Sequence, residues 1–247
     1  MNDRRFGIST RLFQQSRLCR EHLVHIAAHG FETVEVVAER SHFDYRDPRA
    51  VDELSEWLSD TRLELQSLHA PASQPAAEID AVIAVASSVP YRYLVMHPGL
   101  PVTNTLLPGI VERAAQLRVT IALEVIPSPP APAASLVRLI EDELDGIDLG
   151  ICLDYGHAHL MGDLGEAIEA VSGHMVTTHL HDNGGARDEH LVPFAGGIDW
   201  DAAMMETQKI GYDGVLMFEL AGAGSPVDVL KRTAHARARL EKTLVTF

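Results

Sequence analysis

The arrangement that most restricts the fold of this chain is a series of imidazole and carboxylate residues, each closing an apolar segment, at nearly even intervals. His69 closes LELQSLH, His97 closes RYLVMH, Glu124 closes VTIALE, Asp154 closes GICLD, His179 closes MVTTH and Glu219 closes VLMFE. Successive members are 28, 27, 30, 25 and 40 residues apart, about the length of one strand, one helix and two turns. Such βα units predict an α/β chain whose parallel strands close into a (β/α)8 barrel, with the carboxyl ends of the strands sharing one mouth. Residues distant in sequence meet there. Three histidines and three carboxylates in one pocket make a divalent-metal site the first expectation, because imidazole nitrogen and carboxylate oxygen are donors that such ions take.

The 247 residues suffice for one barrel with a large core, so a single domain over 1–247 is expected. Apolar stretches stay below about 18 residues, too short for a bilayer, and the charged start MNDRRFG is not followed by the apolar run of a secretory signal. A cytoplasmic location away from membranes is the expectation. Cys19 and Cys152 form neither a C-x-x-C pair nor a disulfide framework and read as core thiols. The formal net charge of −15, from 20 Lys and Arg against 35 Asp and Glu, argues against a nucleic-acid partner, whose phosphates must be neutralised by basic side chains.

Periodicity and turn residues give eight strand–helix units. FGIS (6–9) is the first strand, followed by an amphipathic helix to about His29 with Gly30 as its stop. Strand 31–37, helix 48–60, strand LELQSL, helix 77–88, strand RYLVMH and helix 107–117 follow, then VTIALEV. The Pro-rich stretch at 127–135 reads as a rigid loop, either a lid over the mouth or a spacer, before a helix over 134–144 and the strand IDLGICLD. The last units run GDLGEAIEAVS into HMVTTHLHD and IDWDAAMMETQKIG into GVLMFEL, with a final helix from about Pro226 to Val245.

Individual motifs sharpen the chemistry. Glu124 and Glu219 each end an apolar run, where an unpaired carboxylate costs several kcal/mol, so both need buried partners. In Asp154-Tyr155-Gly156-His157 an imidazole lies three residues past a strand-end carboxylate, near enough to turn back into the same pocket. His179 and His181 alternate onto one face of a strand, with His181 or Asp182 placed to orient a ligating histidine. Asp188 and His190, two apart in an extended loop, are spaced to share a cation. Ser225-Pro226 opens the last helix as cap and first residue, and the turn from Gly222 lies where many barrels bind phosphate.

From LHAP through HPG, LE, DxxH, HLHDN and GGIDW to FE, the chain resembles the xylose isomerase-like TIM-barrel superfamily, which contains sugar and sugar-phosphate isomerases and epimerases and endonuclease IV-type apurinic/apyrimidinic endonucleases. The epimerase resemblance implies one divalent metal (zinc, manganese, magnesium or cobalt) on Glu124, Asp154, His179 and Glu219, with His157 as a substrate-binding imidazole. The endonuclease resemblance implies three zinc ions on those four residues together with His69, His97, His157, Asp188 and His190. The DNA-handling parts are missing: Val-Ile-Pro-Ser-Pro-Pro follows Glu124, and Ala-Pro-Ala-Ser-Gln follows His69.

Three functions are consistent with this pattern. The first is isomerisation or epimerisation of a small sugar or sugar phosphate by proton transfer next to a ketose carbonyl, with Glu124 and Glu219 as the proton-carrying carboxylates and His157 and Arg187 binding substrate oxygens. The second is hydrolysis of a small phosphoester by a multi-zinc cluster. The third is a non-catalytic metal- or sugar-binding barrel. The pattern leaves self-association into a homo-oligomer open.

Overall fold

Alternation along each strand decides which side chains meet helices and which face the barrel interior. Ile8, Val34, Val36, Leu94, Ile121, Leu123, Ile151, Leu153 and Phe218 belong to the main apolar core, which the outer helices cover. The residues between them are smaller or polar, and Val95, Ala122 and Cys152 form a separate small cluster. Two residues beyond Ala122 stands Glu124, and two beyond Cys152 stands Asp154, so the face that carries the interior cluster delivers the carboxylates to the strand ends.

The computed structural model describes residues 5–71, 76–98, 106–127, 132–144, 146–221 and 224–245. Its strands are β1 (Phe6–Ser9), β2 (Thr33–Val37), β3 (Glu64–His69), β4 (Tyr93–Met96), β5 (Thr120–Glu124), β6 (Leu149–Asp154), β7 (Met175–His179) and β8 (Leu216–Phe218). Neighbours pair in parallel from β1 to β7, with β8 on the other side of β1. The ring closes just past β7: the Leu180 N–H donates to the Met217 carbonyl at 2.7 Å and the Glu219 N–H to the Leu180 carbonyl at 3.2 Å. This is the expected (β/α)8 barrel.

The outer layer is α1 (Arg20–Ala28), α2 (Pro48–Thr61), α3 (Ala76–Ala84), α4 (Leu107–Gln116), α5 (Ala133–Arg138), α6 (Tyr155–Met161), α7 (Leu164–Ala170), α8 (Trp200–Lys209) and α9 (Pro226–Val245). Aspartates start several of them: Asp47, Asp163 and Asp199 each accept a bond from a first-turn backbone N–H. Among the described residues no helix is long and apolar enough to cross a membrane. Both cysteines are free, Cys152 fully buried and Cys19 at the start of α1.

The helix expected to run from β1 to His29 is two pieces. Ser9 caps a short 3-10 turn over Thr10–Phe13, and α1 begins only at Arg20, ending before Gly30 at φ 80°. A second difference is α6, which starts directly at the end of β6 because the Asp154 carboxylate accepts from the His157 backbone N–H at 2.7 Å. The strand expected through His181 ends at His179, and Leu180 and Asp182 continue it only as isolated bridges. Residues 128–131 of the stretch at 127–135 read as a lid or spacer, and residues 222–223 of the turn from Gly222, lie outside those described.

Candidate metal centre

Glu124, Asp154, His179 and Glu219 come from the ends of β5, β6, β7 and β8 and offer one ligand atom each within 4.8 Å of one another. His179 Nδ1 lies 3.5 Å from Glu124, 3.8 Å from Asp154 and 3.8 Å from Glu219. Two donors on one tetrahedral ion at about 2.1 Å stand roughly 3.4 Å apart, so these gaps are near those a shared cation requires. His179 Nδ1 and Glu219 Oε1 are buried and have no hydrogen-bond partner, and such orphaned atoms normally find one. The residues present fit a divalent ion.

A group of His69, His179 and Glu219 overlaps this one, and two further groups of donors flank it. His69, His97 and Glu124 form the first, with the Nε2 atoms of His69 and His97 at 3.0 and 3.1 Å from Glu124 Oε2. His157, His181, Asp188 and His190 form the second. Asp188 is the half-exposed member, with the Nε2 atoms of His157 and His190 at 3.3 and 2.9 Å. Glu124 therefore belongs to two groups, and all nine residues of the sequence-derived metal set converge on one mouth.

One pattern runs through five imidazoles: a ring nitrogen is tied to a fixed acceptor and the other is turned toward the carboxylates. His69 Nδ1 meets the Ala70 carbonyl at 2.9 Å, His157 Nδ1 the Val125 carbonyl at 3.0 Å, and His190 Nδ1 the Glu219 carbonyl at 3.0 Å. His179 Nε2 lies 3.2 Å from Glu35, and His181 Nε2 lies 3.0 Å from Asp154. Carbonyls only accept, so the tied nitrogens of His69, His157 and His190 donate, and the outward nitrogen is the one left to bind. Metal-ligating histidines are oriented in this way, by an outer acceptor that fixes the ring.

The electrostatics fit the same arrangement. Burial disfavours a charge on His69, yet its bond to Glu124 and the attraction of Glu124, Glu219 and Glu35 hold its pKa up to about 9. His157 is likewise opposed by burial and raised to about 11 by Asp154, Asp188 and Glu124. His179 and His190 are also raised against burial by neighbouring groups, among them Glu35 and Glu219 for His179 and Asp188 and Glu219 for His190. Burial pushes Glu124 and Asp154 upward, but the histidines outweigh it and hold both below the usual carboxylate range. Glu219 is lowered in the same way, by His179 and Arg11. Protons on imidazoles thus balance the carboxylates, and a divalent cation would take their place.

Sequence reasoning missed several participants. Arg187, expected at the substrate, is 84% exposed and lies 3.9 Å from Glu189. Asp182 orients no ligating histidine. It accepts from Trp200 Nε1 at 2.9 Å and from the Ile198 N–H at 3.1 Å, which anchors the loop carrying Asp188 and His190. Glu35, inside β2, was not a candidate, though a carboxylate between Val34 and Val36 in a fully buried strand was a legible signal. Its carboxylate accepts from Ser67 Oγ at 2.7 Å and steadies His179. Arg11, on the 3-10 turn after β1, puts a guanidinium nitrogen 3.7 Å from Glu219 at the rim.

Comparison with known proteins agrees with the barrel. A family model described as xylose isomerase-like TIM barrel matches residues 23–243. An uncharacterized protein of Methanocaldococcus jannaschii is 30% identical over 88% of this chain and 84% of its own length. A crystal structure of a D-tagatose 3-epimerase-like protein superposes with a TM-score of 0.81 at 26% identity over 97% of each chain. A crystal structure of the IOLI protein with a bound zinc atom gives a TM-score of 0.84 at 16% identity, over 98% of this chain and 100% of that one.

Proposed function

The chain belongs to the xylose isomerase-like TIM-barrel family, and on that premise we propose that it is a divalent-metal-dependent isomerase or epimerase of a small sugar or sugar phosphate. The observation that carries the reading is the convergence of Glu124, Asp154, His179 and Glu219 with the His179 ring tied back to Glu35. The zinc in the IOLI structure and the epimerase-like character of a solved relative support it. A metal held by these four residues supplies Lewis-acid polarisation of a carbonyl and its neighbouring hydroxyl, which acidifies the C–H between them.

The chain's own residues supply the proton handling. Glu124 ends β5 and Glu219 directly follows β8, and both are ionised at neutral pH because imidazoles, and Arg11 at Glu219, depress their pKa values. One takes the proton from the carbon beside the carbonyl and the other returns it from the opposite face, which inverts that centre or moves the carbonyl. Arg11 at the rim holds substrate oxygens through a guanidinium suited to an anionic group.

A second reading, phosphoester hydrolysis by a multi-metal cluster, rests on the two flanking donor groups and on Glu124 lying in two groups at once. Deuterium incorporation separates the two. The metal-loaded protein in heavy water should label the carbon next to the carbonyl in a member of a C3–C6 ketose and ketose-phosphate panel, and Glu219→Gln should abolish the labelling. No exchange across that panel, with cleavage of a phosphodiester by the same preparation, would establish the hydrolase instead.

A further inference from the structure

His181 has no role in the single-metal reading, and it is fully buried. Its Nε2 lies 2.9 Å from Asp154 Oδ1, a carboxylate oxygen that also accepts from the His157 backbone N–H. Nε2 is therefore the protonated, donating nitrogen, which leaves a lone pair on Nδ1. Nδ1 has no hydrogen-bond partner. It points at Asp188, 3.8 Å away, where the Nε2 atoms of His157 and His190 also arrive. A buried ring nitrogen with no partner costs free energy unless something fills the space before it.

The surroundings admit this ring and little else. The His181 imidazole stacks on that of His190 with centroids 4.0 Å apart and meets His157 edge-on at 5.4 Å. Gly156, at the start of α6, forms the other wall, and a Cβ there would collide with the His181 ring. The glycine in Asp154-Tyr155-Gly156-His157 is thus the space that His181 occupies.

We propose that His181 is a metal ligand through Nδ1, closing a four-donor site with His157, Asp188 and His190. Four protein donors complete a tetrahedral shell, so this ion is retained and holds the loop rather than meeting substrate, whereas a site with an open position does the chemistry. Asp154 joins this site to the central one, as a donor to the central ion and as the acceptor that fixes His181. The inference extends the metal-dependent reading but depends on neither reaction.

Zinc content after dialysis, and the rate of zinc transfer to a chromogenic chelator, test it without any activity assay. His181→Asn keeps a donor for Asp154 and removes the ligating nitrogen. It should lose one zinc per chain or release one at least tenfold faster, with the remaining zinc unchanged in number. Gly156→Ala should do the same by displacing the His181 ring without substituting any ligand. In the unaltered protein loaded with cadmium-113 and 15N-histidine, one-bond coupling should appear at the His181 Nδ1. Absence of that coupling, or folded His181→Asn with unaltered zinc content and release, would overturn the assignment, whatever the deuterium and phosphodiester assays report.

Discussion

Glu35 shows how a side chain that touches no substrate can set the affinity of a centre. It is fully buried, held by Ser67, and its bond to His179 Nε2 turns Nδ1 toward Glu124, Asp154 and Glu219. Outer-shell carboxylates of this kind are worth about 10–100-fold in metal affinity. Glu35→Gln keeps the shape and loses the charge, so chelator competition should show zinc affinity at the central site falling by that factor with the fold intact. Affinity equal to that of the unaltered protein would leave Glu35 a packing residue. The strand-end residues were legible because each closes an apolar run, a local signal. Arg11 was not, because its place at the rim follows from the 3-10 turn that Ser9 caps, which periodicity does not reveal.

At the scale of elements, the strands were read from their apolar runs and the outer helices from periodicity, while short connections escaped. The helix α6 was not foreseen as an element, because seven residues carry too little periodicity, and it forms through a single aspartate cap. The seam between β7 and β8 was equally hidden. No regular pairing joins the two strands, and Thr178 fills the gap: its Oγ1 accepts from the Met217 N–H at 3.2 Å and donates to the Val215 carbonyl at 3.4 Å. Thr178→Val preserves shape but strands a buried N–H, which costs about 1–3 kcal/mol. Urea unfolding should show a loss in that range, with hydrogen exchange quickening first at Met217. An unchanged midpoint would mean that the main-chain bonds of Leu180 close the barrel unaided.

For the whole molecule, the donors at the mouth come from β3 to β8 and from the loops and helix that follow, so one ion cluster ties most of the ring together. In the metal-free protein the imidazole protons play this part. His69 and His157, raised to about 9 and about 11, add stability that is complete below the ordinary histidine pKa near 6.5 and is lost as pH rises through those values. Glu124, Asp154 and Glu219 are lowered, so their share is present above the ordinary carboxylate range and is lost as pH falls through their depressed values. Metal must displace the imidazole protons, so its affinity rises with pH just where the metal-free protein weakens. Zinc at a thousandfold over its Kd adds about 4 kcal/mol, roughly 8–16 °C in Tm for a chain of this size. Thermal melts with zinc and with chelator should therefore separate further at pH 8 than at pH 6, and zinc binding at pH 7 should release protons to a weakly buffered indicator. A separation independent of pH, with no proton release, would mean that zinc binds away from the protonated histidines of the mouth.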